Sequence, residues 1–220
     1  MTLRALVTLR ALVAVVALAL PRAARAQATV PVPVPTPAED RGWDLDAFVG
    51  YAQHSPEGLA WGLTSDRDHL LLGLDLRAPV LTLGRWRLHY APSVTPIVRL
   101  SHHPSDGSVE PRRPTAYGVG LAPFGVAATV RITPRVQLSG ASRVGFVWFD
   151  QEVPVELASR GNVSLEWGGT VEWRLQGTRR VIVGYKFLHV SNVYTALQNP
   201  GVDGHLLTLG YGLHWPGPAR

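Results

Sequence analysis

A histidine and a serine stand two residues apart near the C-terminal end of the sequence, in the tetrad His189-Val190-Ser191-Asn192. They end an apolar alternating run, and residues two apart in a strand point to the same face. A serine hydroxyl attacks efficiently only when a base takes its proton, so this pair is the minimum equipment for nucleophilic acyl transfer. The pair becomes a candidate site if the fold adds an acid that orients the imidazole.

The strand that carries the pair and the last strand of the chain form a predicted hairpin. Directly opposed residues of an antiparallel pair share a face, so odd positions pair with odd positions. A symmetric hairpin centred near Leu197 places His205 opposite His189 and Asp203 opposite Ser191. Asp203 is then diagonal to His189, about 7–8 Å away between backbones, a gap that converging side chains can bridge. The face parity holds for any loop, whereas this register assumes a symmetric one.

An alternation of polar and apolar residues with a period of two runs through the chain from Trp43 onward. In Asn162–Leu175 most even positions are polar and most odd positions are apolar, which is typical of a strand with one polar face. No long segment has helical periodicity. The pattern predicts eight strands, at residues 43–53, 68–78, 85–100, 115–132, 135–149, 161–175, 179–191 and 203–215.

Eight strands, several longer than the usual length of about 5–6 residues, predict an all-β fold: an eight-stranded antiparallel up-and-down barrel over residues 42–215. The apolar side faces inward in a soluble lipocalin-like barrel and faces lipid in an outer-membrane barrel, and periodicity does not distinguish the two. Glu and Arg on the polar faces favour a charged lumen and the membrane version. So do aromatic residues near strand ends, which suit interfacial girdles: Trp43, Tyr90, Trp148, Phe149, Trp173 and Trp215.

The N-terminal segment has the pattern of a secretory signal peptide. Arg4 and Arg10 precede an apolar stretch from Ala11 to Leu20, and Ala24-Arg25-Ala26 is a small-x-small cleavage pattern. An anchor helix is the competing interpretation, but the stretch is about half of the roughly 20 residues that a spanning helix needs. We therefore expect a signal peptide at residues 1–26, a Pro-rich spacer at 27–41 and a C-terminal tail at 216–220.

Charge and cysteine content exclude several classes of function. The formal charge of +5 falls to +1 when the four arginines of the leader are removed, and no basic cluster supports a nucleic-acid partner. The sequence has no cysteine, which excludes a disulfide scaffold, a thiol nucleophile and thiolate metal sites. Nothing in the sequence requires a metal or a cofactor.

The last two strands resemble the signature of the lipid A 3-O-deacylase family, the PagL-type acyloxyacyl hydrolases of Gram-negative outer membranes. The similarity lies in Gly184-Tyr185-Lys186-Phe187-Leu188-His189-Val190-Ser191-Asn192, followed by Asn199-Pro200-Gly201 and a final strand. The preceding strand, Asn162–Trp173, is also similar. Members of this family are eight-stranded barrels with the His-x-Ser-Asn motif on the lipid-facing wall.

The resemblance implies an outer-membrane esterase that hydrolyses the ester-linked acyl chain at position 3 of lipid A. Its substrate would be the lipid A of lipopolysaccharide, and outer-membrane lipids would surround the barrel. The resemblance also implies that Ser191 is the nucleophile, His189 the general base and Asn192 a neighbour that helps to shape the site for the oxyanion. The characterised member of the family has a Glu fourteen residues after the His, where this sequence has Asp203, one methylene shorter. Counting from the loop proline places His205 there instead, so both remain candidates for the third partner. The oligomeric state is left open.

Other residues also have types that suit chemistry. His102-His103 suggests a metal, but adjacent strand residues point to opposite faces and a loop follows. Glu166 and Glu172 are the residue types of glycoside hydrolysis, yet their place on a polar face with Arg174 favours a lumen charge network. The alternative function from another class is a non-enzymatic outer-membrane barrel, structural or adhesive, with a residual His-Ser pair.

Overall fold

The computed structural model describes residues 42–53, 61–102 and 114–216. All of them belong to one compact unit, Pro35–Arg220. The predicted signal peptide, the predicted spacer and residues 217–220 of the predicted tail lie outside the described residues, as do His103 and the segment that follows it. Within the described ranges, no helix is long and apolar enough to cross a bilayer.

Long antiparallel strands account for most of the described chain. Their bounds are β1 Trp43–Ala52, β2 Arg67–Leu83, β3 Trp86–Tyr90, β4 Ser93–His102, β5 Thr115–Arg131, β6 Val136–Val153, β7 Ser159–Arg174, β8 Arg179–Ser191 and β9 Val202–Trp215.

The strands close into an up-and-down barrel with eight positions. Apart from β3 and β4, which do not pair with each other, strands that follow one another in the chain are paired, and β1 closes the ring by pairing with β9. Both β3 and β4 lie between β2 and β5, so together they fill one position. The sequence predicts one strand over 85–100, and the structure interrupts it at Ala91-Pro92, where proline has no N–H to donate to the ladder. The predicted eight-stranded barrel is confirmed.

The apolar face of the strands lies on the outside of the barrel. On β9, for example, Leu207, Leu209 and Tyr211 are exposed whereas Leu206 is fully buried. This is the arrangement expected of the membrane version and the opposite of a barrel with an apolar interior and a polar exterior. Of the predicted girdle aromatics, Phe149 is the exception, because neighbouring residues of a strand face opposite sides and it points inward beside the exposed Trp148.

The interior of the barrel is charged at the end where β1 begins and β9 ends. The Arg77 guanidinium donates to both carboxylate oxygens of Glu172 at 2.5 and 2.9 Å and lies 3.1 Å from Asp46. Arg180 donates to Asp44 at 2.6 Å and also binds Asp46. These side chains are buried, so the charges are compensated by one another rather than by solvent.

The two glutamates considered as paired acids belong to this interior. Glu172 binds Arg77 and Arg180, and Glu166 forms an ion pair of 2.8 Å with Lys186. The lumen network expected around them therefore exists, and the arginines described at Glu172 are Arg77 and Arg180. Toward the opposite end, the interior becomes apolar, with a cluster formed by Ala52, Leu71, Val98, Leu100, Ala116, Val147, Phe149, Val153, Leu188, Val190, Val202 and Leu206.

Candidate active site

The register of the last hairpin places His189 directly opposite Asp203. His205 lies opposite Phe187, and the ladder ends at Val190 opposite Val202. The predicted parity of odd with odd holds, but the predicted symmetric register is wrong by two residues. A shift of two leaves every side chain on its own face, so an alternating pattern specifies parity without choosing between such registers.

The imidazole of His189 is bound to the carboxylate of Asp203. Its Nδ1 lies 2.6 Å from Asp203 Oδ1, and Asp203 is fully buried. Opposed residues of an antiparallel pair are closer than diagonal ones, so the short aspartate side chain spans the gap. With Nδ1 donating its proton to the carboxylate, the lone pair of Nε2 is the one that can accept a proton.

The second oxygen of the Asp203 carboxylate is held by backbone amides from a distant part of the chain. The N–H groups of Trp61 and Gly62 each donate to Asp203 Oδ2 at 2.9 Å. Hydrogen bonds to both oxygens satisfy the buried carboxylate and limit its rotation. The acid of the candidate site is thus oriented on both sides.

These amides belong to a short segment between β1 and β2, residues Trp61–Thr64, which we call the strap. The strap lies along the β8–β9 loop, where Leu63 donates to the Pro200 carbonyl at 2.7 Å and Thr64 to the Gly201 carbonyl at 3.3 Å. Sequence reasoning missed the strap. It lies outside the alternating pattern, and its partners are about 140 positions away, so no local signal reveals it.

The Trp61 ring covers the imidazole from the outside of the barrel. It lies edge-on to His189 with ring centroids 5.6 Å apart, and edge-on to Trp167 at 5.1 Å. Trp167 in turn stacks on Phe187 at 4.3 Å. Phe187 is buried although its strand face is the outer one, because this aromatic cluster covers it. The candidate site therefore lies on the outer wall, beside an aromatic surface.

Ser191 lies on the same face of β8 as His189 and one position beyond the end of the β8–β9 ladder. It is only partly buried. Among the described residues, no hydrogen bond joins its Oγ to the imidazole of His189. The structure thus brings the predicted base and acid together and leaves the hydroxyl adjacent but unbound. Nucleophile–base contacts are often loose in an unliganded site and tighten when substrate is bound.

Asn192 is buried and holds the β8–β9 loop. Its backbone N–H donates to Asn199 Oδ1 at 2.9 Å, and its side-chain Nδ2 donates to the Gln198 carbonyl at 2.6 Å. The carboxamide donor is therefore already engaged with the loop. In the structure, Asn192 shapes the backbone that follows Ser191 rather than presenting its amide to the outside.

The backbone around the site adopts left-handed conformations at three positions. Val193 and Tyr194, directly after Asn192, have φ angles of 51° and 62°. This region is strongly unfavourable for a β-branched residue and costs about 1–3 kcal/mol. Gly201 has a φ of 63°, and a Cβ there would lie 3.0 Å from Cε1 of His189. Only glycine can adopt this positive φ and also leave room for the imidazole.

The remaining candidates for the third partner or for a metal are separate from this site. His205 Nδ1 lies 2.6 Å from the Tyr185 hydroxyl, so its described partner is a tyrosine and not His189. His102 lies at the end of β4, hydrogen-bonded to Arg67 inside the barrel. Across residues 42–53, 61–102 and 114–216, no group of three His, Cys, Asp or Glu side chains is placed to hold a metal ion.

Comparison with known proteins identifies the fold. No family model matches the sequence, and no curated protein is significantly similar to it. The structure is similar to that of the outer membrane enzyme PagL, with a TM-score of 0.56, 13% identity and coverage of 76% of this chain and 98% of that chain. It is also similar to Neisserial surface protein A (NspA), with a TM-score of 0.51, 12% identity and coverage of 78% and 96%. Such likenesses establish an outer-membrane type of β-barrel, which both an enzyme and a surface protein adopt.

Proposed function

We propose that this protein is an outer-membrane esterase that removes an ester-linked acyl chain from lipid A. The observation that carries the proposal is the His189–Asp203 hydrogen bond of 2.6 Å on the outer wall of the barrel, two positions from Ser191. A Ser-His-acid hydrolase has this arrangement: a buried carboxylate bound to an imidazole on the outer face, with a serine beside the imidazole. The resemblance of the last two strands to the lipid A 3-O-deacylase family supports position 3 as the ester that is cleaved.

The reaction uses the three side chains in sequence. Ser191 Oγ attacks the ester carbonyl while His189 Nε2 takes the hydroxyl proton, and Asp203 stabilises the imidazolium that forms. The tetrahedral intermediate collapses when His189 returns that proton to the departing sugar oxygen, which leaves an acyl-serine. Water then attacks the acyl-serine with His189 as base, releasing the fatty acid and restoring Ser191.

The position of the site supports a membrane lipid as the substrate. Connections at the end that carries Trp43 and Trp215 are two to four residues long, at 84–85, 132–135 and 175–178. Connections at the site end are longer, reaching fourteen residues between β1 and β2. Outer-membrane barrels have short periplasmic turns and long external loops, so the site belongs to the external leaflet, where lipid A resides. An acyl chain along the exposed apolar wall would present its ester at that level.

The direct test is mass spectrometry of lipid A from a Gram-negative host that retains its 3-linked acyl chains. Cells that express the full chain should lose one 3-hydroxyacyl group from lipid A, and cells that express Ser191→Ala should not. Ser142→Ala, at an exposed serine of β6, is the matched control and should behave as wild type. Insertion of each variant is checked by heat-modifiable electrophoretic mobility. Unchanged lipid A with an inserted wild-type barrel would refute the esterase.

The second candidate is a non-enzymatic surface barrel. Two observations favour it: the fold is also that of NspA, and Ser191 Oγ is not hydrogen-bonded to His189. In that case the His189–Asp203 bond has only a structural role in the loop. The lipid A experiment separates the candidates, because this one predicts the same lipid A from wild type and Ser191→Ala.

A further inference from the structure

We infer that the strap, Trp61–Thr64, is a positioning element of the candidate active site: its amides hold the Asp203 carboxylate and its tryptophan holds the His189 ring. The inference rests on the proposed esterase function. It adds to the site a segment from the connection between β1 and β2, which lies outside the sequence motif of the last two strands.

The strap supplies two of the three described hydrogen bonds of the Asp203 carboxylate. Asp203 is fully buried, and its three described partners are His189 Nδ1 on Oδ1 and the Trp61 and Gly62 amides on Oδ2. A buried polar group without hydrogen-bond partners is costly, so the strap amides matter for the stability of this arrangement. Because both amides bind one oxygen, they also fix the rotation of the carboxylate so that the other oxygen faces the imidazole.

The strap reaches Asp203 in a register set by its own backbone contacts. Leu63 and Thr64 donate to the carbonyls of Pro200 and Gly201, and Thr64 forms a parallel bridge with Val202. These bonds do not involve the Asp203 side chain. The strap is therefore docked on the loop beside the site, and the amides of Trp61 and Gly62 point at the carboxylate as a result.

Glycine is required at position 62 for this approach. A Cβ on Gly62 would lie 2.7 Å from the Asp203 nitrogen, 2.9 Å from the Val202 carbonyl carbon and 3.0 Å from Asp203 Cγ. Backbone atoms cannot yield at such distances, so a side chain there forces the strap outward. The amide hydrogen bonds to Oδ2 would lengthen or break, while the residues of the dyad themselves are unchanged.

The Trp61 ring supplies the second restraint. Its edge-on contact with His189 and its contacts with Trp167 and Phe187 close the outer side of the imidazole. A ring held between the tryptophan and the Asp203 carboxylate loses freedom to rotate away from Ser191. Such pre-organisation raises the rate of the chemical step more than it strengthens substrate binding.

The first test compares Gly62→Ala with wild type, using purified full chain and lipid A in mixed detergent micelles. We expect kcat to fall by about 100-fold, the effect of a misplacement near 1 Å, with KM unchanged. Gly140→Ala is the matched control, because a Cβ at that glycine of β6 has only one neighbour, the Gly168 carbonyl oxygen at 3.8 Å. A rise in KM at constant kcat would contradict positioning and indicate a role in substrate binding.

A double-mutant cycle separates positioning from general damage to the barrel. If the strap acts through the carboxylate, Gly62→Ala should cause almost no further loss in an Asp203→Asn background. Independent losses that multiply would overturn the inference. Trp61→Phe retains both amides and an aromatic ring and should keep most of the activity, whereas Trp61→Ala should lower kcat.

A readout without turnover keeps the test independent of the proposed function. The Nδ1–H of His189, bound to a carboxylate, gives a downfield proton resonance in ¹H NMR of the micellar protein, assigned by its absence in His189→Gln. Gly62→Ala should shift or broaden it, and Gly140→Ala should not. An unchanged resonance in Gly62→Ala would refute positioning. An inactive wild type with a resonance sensitive to Gly62→Ala would refute the esterase and leave the strap's positioning role intact.

Discussion

Replacing Asp203 with Asn tests the candidate site most sharply, because it changes charge and donor pattern with almost no change in volume. Asp203 accepts one hydrogen bond from His189 and two from the Trp61 and Gly62 amides. An asparagine has one oxygen to accept and one NH₂ group to donate. It cannot satisfy all three donors at once.

The geometry decides which orientation the asparagine takes. Turning its NH₂ toward the strap would leave the Trp61 and Gly62 donors facing another donor, at about 1–3 kcal/mol for each buried unsatisfied group. Its oxygen therefore stays with the strap, and its NH₂ faces His189 Nδ1. The imidazole must then carry its proton on Nε2, the atom that has to accept the proton of Ser191. The wrong tautomer in a Ser-His-Asp triad lowers kcat by about 10⁴, which corresponds to about 5.4 kcal/mol in activation free energy.

The assay is the steady-state release of fatty acid from saturating lipid A in micelles, which gives kcat, with heat-modifiable mobility as the check on folding. Asp150→Asn, an exposed aspartate of β6, is the matched control and should leave kcat within the error of wild type. A folded Asp203→Asn barrel that retains more than about a tenth of wild-type kcat would contradict the assignment of Asp203 as the orienting acid.

Three further variants test other parts of the structure. Asp203→Glu adds a methylene to a carboxylate that is already enclosed by hydrogen bonds of 2.6 Å to His189 and 2.9 Å to the Trp61 amide. In the same assay kcat should therefore fall by about 10–100-fold. Full activity would show that the strap moves to accommodate the longer side chain. Gly201→Ala places a Cβ 3.0 Å from the His189 ring at a backbone φ of 63°. It should lower both kcat and the denaturation midpoint. A lower midpoint with unchanged kcat would show that the loop stabilises the fold without positioning His189. Arg77→Met removes one of the two guanidinium groups described beside Asp44, Asp46 and Glu172, and should destabilise the barrel by about 3–5 kcal/mol in urea unfolding. The folded fraction should keep its kcat, because this network lies at the other end of the barrel. An unchanged denaturation midpoint would contradict a stabilising role for the network.

The barrel could be predicted from the sequence because each strand has its own local pattern of alternating polar and apolar residues. The period of two over segments such as Asn162–Leu175 decides which residues face lipid and which face the lumen, independently of any other strand. The lumen partners could not be predicted in the same way. Glu172 binds Arg77, 95 positions away, and which arginine reaches a given glutamate depends on strand stagger around the ring.

The candidate site, too, could be predicted only where local spacing decides which residues share a face. His189 and Ser191 share a face because of their spacing alone, and the parity of β9 puts Asp203 on that face too. The choice of Asp203 over His205 needed the register, which an alternating pattern leaves undetermined by steps of two residues. The two amides and the tryptophan that complete the environment of Asp203 come from a strap about 140 positions away. Local chemistry is encoded in neighbouring residue types, whereas the orientation of a buried carboxylate is decided by hydrogen-bond donors that only closure of the barrel brings to it.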